Sequence, residues 1–129
     1  MTGFRAVLLA AIATPLLGAC ASGTSMQYLE SQDGKELRSD ASVGDLVLCL
    51  KRKLGDDADV LAYPEPGKVD VRVGYGHRAD AGYSYLIRLR AARQGTNVEI
   101  NSAGDFRPML SQGRVTGYIR DCKPGTAVR

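Results

Sequence analysis

The first nineteen residues decide how much chain is left to fold. A basic opening, Met1 to Arg5, leads into twelve apolar residues, Ala6 to Leu17, and the run closes on the small pair Gly18 and Ala19. A positive region, a greasy region and small residues at the cut, in that order, make a secretory signal. A membrane-spanning anchor fits the run poorly. Twelve helical residues at about 1.5 Å each span about 18 Å, against a hydrocarbon core of about 30 Å. Pro15 also interrupts the last turn. Removing residues 1–19 from the 129 leaves 110, enough for one modest domain.

A cysteine stands directly after the small pair. Leu17-Gly18-Ala19-Cys20 matches the lipobox of bacterial lipoproteins, and the first twenty residues resemble their precursors. The resemblance implies that Cys20 is acylated on its thiol, becomes the first residue after cleavage, and is then acylated on its amine. It implies a membrane partner, reached through the acyl chains. In enterobacterial lipoproteins an aspartate after the cysteine holds the protein at the inner membrane. Here that residue is Ala21, so the expected place is the outer membrane, facing the periplasm. The resemblance ends at the lipobox, and no motif of the remaining chain names a family.

With Cys20 assigned to lipid, Cys49 and Cys122 remain as an even pair in an oxidising compartment. A disulfide is the economical reading; two buried free thiols, or pairing between molecules, are the alternatives. Closing a loop of this length would constrain the unfolded chain by roughly 4 kcal/mol on a chain-entropy account. That is a large share of the net stability of a small domain. The chain carries 17 Lys and Arg against 14 Asp and Glu. Arg5 leaves with the signal, so the mature balance is +2. Near-neutrality argues against nucleic acid as a partner. It also argues against an inhibitor of a basic hydrolase, which steering would require to be acidic.

Residues 20–40 read as a lipidated, flexible tether. They are small and polar with no sustained period, although one helical turn around Met26 to Leu29 fits. Ser42 then starts the first clear element, with Asp45 completing a capping box. Val43, Leu46, Val47, Leu50 and Leu54 form one helical stripe. Lys51 to Lys53 suit the negative end of the dipole, and Gly55 is a stop. The expected helix is 42–54, with Cys49 near its buried edge.

Four strands are expected after an acidic turn at 56–59: 60–63, 69–73, 83–93 and 96–101. Pro64-Glu65-Pro66-Gly67 and Gln94-Gly95 mark turns. Val69, Val71 and Val73 alternate with Asp70 and Arg72, and Tyr85, Ile87 and Leu89 with Leu86, Arg88 and Arg90. One face is therefore buried and the other wet. A last helix runs to Asp121, starting as early as Pro108 and firm from Val115. The fold class is α+β: a two-layer sandwich of helix, four-stranded antiparallel meander and helix, spanning 41–123 and stapled by one disulfide. Residues 124–129 read as a frayed tail.

Catalytic signatures are missing from the sequence: no H-E-x-x-H, C-x-x-C, S-x-x-K, G-x-S-x-G or phosphate-binding glycine loop occurs. No cofactor is implied, and one histidine supplies too few ligands for zinc. His77, with Tyr75, Arg78 and Asp80, is the one cluster suited to proton transfer, and a solvated loop histidine is the plainer account. The wet sheet face brings Arg72, Arg88 and Arg90 near Glu99 and Asn101. Its plain reading is a solvated face with charges paired across strands. Its sharper reading is a contact surface for an envelope protein or an anionic envelope component, such as lipid A phosphates. Two classes of function stay open: a non-catalytic binding or structural lipoprotein, and a small envelope enzyme or enzyme inhibitor.

Overall fold

The structure, a computed structural model, describes residues 25–75, 82–104, 107 and 109–125. In chain order the elements are helix α1 (Met26–Ser31), strand β1 (Lys35–Ser39), helix α2 (Val43–Leu54) and strands β2 (Ala58–Ala62) and β3 (Lys68–Val73). Strands β4 (Tyr85–Ala91) and β5 (Thr96–Ser102) and helix α3 (Gln112–Asp121) follow, completing the elements among the described residues. A single 3-10 turn, Gly55–Asp57, joins α2 to β2.

The local chemistry of α2 follows its sequence. The Ser42 hydroxyl accepts from the Asp45 N–H, and the Asp45 carboxylate accepts from the Ser42 N–H, both at 3.1 Å. The same carboxylate accepts from the Gly125 N–H at 3.1 Å, so the chain is still held at the second residue of the expected tail. Leu46, Leu50 and Leu54 are buried, and Val43, Val47 and Cys49 pack against the core from the stripe's edges.

Strands β2, β3, β4 and β5 form the expected antiparallel meander. The sheet nevertheless has five strands, in the order β1-β5-β4-β3-β2. The added strand lies in the stretch expected to be tether. In β1, Lys35, Glu36 and Arg38 flank one half-buried leucine, Leu37. The strand therefore carries no hydrophobic alternation; backbone pairing to β5 holds it, from Lys35 opposite Ile100 to Ser39 opposite Thr96. Charged side chains on such an edge also discourage pairing with other chains. The β4–β5 turn closes against the end of β1. Gly95 has φ +78°, and a Cβ there would collide with the Ser39 carbonyl.

Helices α2 and α3 cover one face. Their Leu46, Leu50, Val115 and Ile119 meet Val71, Val73, Ile87, Leu89, Val98 and Ile100 in one buried cluster. Each such side chain contributes roughly 1.5–3 kcal/mol by leaving water. The α3 start differs from the earliest one expected: Ser111 caps the helix by accepting from the Arg114 N–H, and Pro108 lies outside the described residues. Cys49 and Cys122 are joined, with Cα atoms 5.9 Å apart. The bridge pins the end of α3 to the middle of α2.

The other face is not bare. Helix α1 lies over it, at the end of the sheet where Leu86 and Asn101 stand opposite each other. Leu29 of α1 is 0% exposed, and the fully buried Asn101 donates from Nδ2 to the Leu29 carbonyl at 2.7 Å and to the Gln32 carbonyl at 3.3 Å. A six-residue helix cannot sustain itself in water. Tertiary contacts hold it, which is why composition alone placed it in a tether.

Candidate functional site

The pairing registers arrange the polar face in rows that run across the strands. One row holds Asp59, Arg72, Leu86 and Asn101. The next holds Leu61, Asp70, Arg88, Glu99 and Glu36. A third runs Lys68, Arg90, Asn97, Arg38, and Tyr63 joins it through its N–H bond to the Lys68 carbonyl at 3.0 Å. Adjacent rows lie two residues apart, about 7 Å.

An open groove of about 670 Å³ occupies the β1–β5–β4 side of this face, lined among others by Glu36, Arg38, Arg88, Arg90, Asn97 and Glu99. Of the three arginines expected to gather, Arg88 and Arg90 reach it and Arg72 does not. Arg72 stands in the row nearer α1, bound to Asp59 at 2.7 Å. Its Nε is buried with no hydrogen-bond partner among the described residues, and its guanidinium lies 5.7 Å from the Tyr83 ring. Asn101, expected near the arginines, is the latch of α1 and is not among the residues lining this groove.

The two groove arginines differ. Arg88 lies 3.7 Å from Glu99, a loose and partly exposed pair of the kind that contributes little. Arg90 is a structural clasp as well: its Nη1 donates to Asp70 at 3.0 Å and to the Val69 and Leu89 carbonyls. Asp70 is 5% exposed and accepts a second bond, from the Tyr63 hydroxyl at 2.6 Å. That bond holds the Tyr63 hydroxyl above its ordinary pKa, with burial and the charge of Asp70 acting in the same direction. Lys68 and Arg90 lie 4.6 and 5.6 Å from the Tyr63 ring centre.

Sequence reasoning missed Arg38 and Glu36, because it missed the strand that carries them. Arg38 donates once, to the Gln94 carbonyl at 2.9 Å, and makes no ion pair among the described residues; neither does Glu36. Two strand spacings, about 10 Å, separate Arg38 from Arg90 along their row, with Asn97 between them. Guanidinium forks set this way can hold oxygens of a phosphate or carboxylate. The adjoining carboxylates suit a cation or hydroxyl.

The remaining sequence candidates are placed as follows. Cys20, and His77 with Arg78 and Asp80, lie outside the described residues. Tyr75 stacks 4.4 Å from Arg107, which binds Asp57 at 2.9 Å and the Gly74 carbonyl at 2.7 Å. Arg107 thus ties Gly74, at the end of β3, to Asp57. Among the described residues, no group of three or more His, Cys, Asp or Glu side chains is placed to hold a metal ion. No helix among them is long and apolar enough to cross a membrane. Comparison with known proteins finds no matching family model, no matching curated protein and no matching solved structure.

Proposed function

We propose that this chain is a lipid-anchored protein of the cell envelope, held at the outer membrane through Cys20 and facing the periplasm, where its α+β domain acts by binding rather than by catalysis. The observation that carries the reading is the Cys49–Cys122 disulfide. A bridge of this kind persists in an oxidising compartment. It uses both cysteines of the folded domain and leaves the third at the one position where lipobox processing needs a thiol. Length, signal, staple and spare cysteine then agree with one another. The binding role draws on the groove, which presents arginines and carboxylates on a rigid sheet.

Metabolic labelling with a fatty-acid analogue tests the anchor. The wild-type chain takes up label, and Cys20→Ser loses it and accumulates as uncleaved precursor or as soluble protein. Equal labelling of the two would overturn the reading.

A further inference from the structure

We propose that the polar face of the sheet lies against the headgroup layer of the membrane that carries the anchor, with phospholipid phosphates seated between Arg38 and Arg90 over Asn97. The inference rests on the anchor reading above and adds to it an orientation and a ligand class.

The length of chain ahead of the fold supports the orientation. A tether running to residue 40 would let the domain turn freely, but α1, the first element among the described residues, already begins at Met26. From Cys20 to Met26 there are six Cα steps, a reach of at most about 22 Å. Helix α1 is fastened to the polar face by the buried Leu29 and by Asn101. The path to the lipid therefore leaves the domain on that face. For the helix layer to meet the bilayer instead, this short segment would have to round a sheet edge and pass a helix about 10 Å in diameter packed on the far side. Little reach would remain.

The surface chemistry points the same way. Of the three exposed large hydrophobic side chains among the described residues, Tyr28 at 49% and Leu61 at 39% lie on this side, and Met109 at 78% lies in the approach to α3. Tyr28 belongs to α1, and Leu61 stands in the middle row of the polar face. An exposed tyrosine suits the headgroup level, where an amphipathic ring is half wetted. Arg38 retains free donors after its single bond to Gln94. Asn97 is exposed between it and Arg90. Glu36 and Glu99, one row away, match the ammonium of an ethanolamine headgroup, so the face offers both signs to a zwitterionic surface. The helix layer is the rival, because Lys51, Arg52 and Lys53 end α2. Lys51 donates to the Ala58 carbonyl at 3.0 Å and Lys53 lies 5.8 Å from the Tyr118 ring, while Arg52, Arg114 and Arg120 are exposed on that layer, so the reach of the short segment ahead of α1 decides between the two sides.

The full chain, made with its lipid and reconstituted in vesicles of phosphatidylethanolamine and phosphatidylglycerol, carries a photocrosslinking residue at Leu61 or, in a separate sample, at Arg52. The expected result is phospholipid adducts from position 61 and at least fivefold fewer from position 52. Headgroup association of the domain, read as the adduct yield at 61, drops about fivefold in Arg38→Ala at an unchanged melting temperature. Fatty-acid labelling of the same samples separates the two readings. Missing label overturns the anchor itself. Normal label with equal or greater yield from position 52, or with protein adducts in place of lipid at 61, overturns the orientation alone. A yield untouched by Arg38→Ala overturns the phosphate seat.

Discussion

The two faces of the sheet are built from alternate residues of the same strands, and they are stabilised in different ways. On the helix side, Val71, Ile87, Leu89, Val98 and Ile100 meet α2 and α3 in a continuous apolar cluster. On the other side, a six-residue helix buries its own Leu29 and lies over the end of the sheet that holds the buried Leu86, and beyond them the rows are held by charge pairs and hydrogen bonds. Burial on the first side amounts to roughly 1.5–3 kcal/mol per side chain. An exposed ion pair on the second contributes about 1 kcal/mol or less. The first face therefore maintains the fold, and the second is free to be shaped for contact. Its exceptions are the places where a polar group is itself buried, Asn101 and Asp70.

The largest expected effect breaks the helix side. Replacing Cys49 and Cys122 together by serine removes a bridge across 73 positions and should cost about 4 kcal/mol, read by urea unfolding of oxidised and mutant protein. A loss under about 1 kcal/mol would show that packing of α2 on α3 suffices without the staple.

Asn101→Ala should cost about 1.5 kcal/mol: the Leu29 carbonyl keeps the Gln32 N–H at 3.2 Å but loses its amide donor, and the Gln32 carbonyl loses its bond from Asn101. Hydrogen exchange should then show α1 opening while α2 and β4 stay protected. If protection falls uniformly, the polar face is not the separately held region described here.

The arginines sharpen the comparison within one face. Arg90→Ser should cost about 1.5 kcal/mol, since it strips a charged donor from the buried Asp70. Arg72→Ser and Arg88→Ser should each stay within about 0.5 kcal/mol. Equal effects in thermal melts would remove the distinction between clasp and contact residue.

The smallest effect is a pH dependence. The Tyr63 pKa is raised in the fold by its bond to Asp70, so folding favours the neutral phenol. Its contribution is fully present below the ordinary tyrosine range and is lost as pH rises through the folded value. Asp70→Ala should bring the Tyr63 titration, followed by NMR, down toward the ordinary range. A titration that does not move would show that the bond is not the cause.

Much of the helix side was legible because its signals are local. Ser42 and Asp45 spell a cap within four residues, the stripe from Val43 to Leu54 has a helical period, and alternation in β3, β4 and β5 states which side is buried. The pairing of Cys49 with Cys122 followed from the count of cysteines and from the place of each near the apolar side of a helix. The candidate site was legible only in part: Arg88 and Arg90 could be assigned to the wet face of one strand, but not to a groove.

What the chain alone determined is thus the set of elements that bury apolar area periodically, and the staple. The tertiary structure decided the rest. Backbone pairing recruits β1 with almost no side-chain signal, a buried amide fastens α1, and cross-strand register brings Arg38 into line with Arg90 while leaving Arg72 two rows away with Asp59. Register and edge pairing depend on hydrogen bonds between residues as far apart as Arg38 and Asn97. Those bonds are made by backbone groups that nearly every residue type carries, so one-dimensional composition holds no record of them.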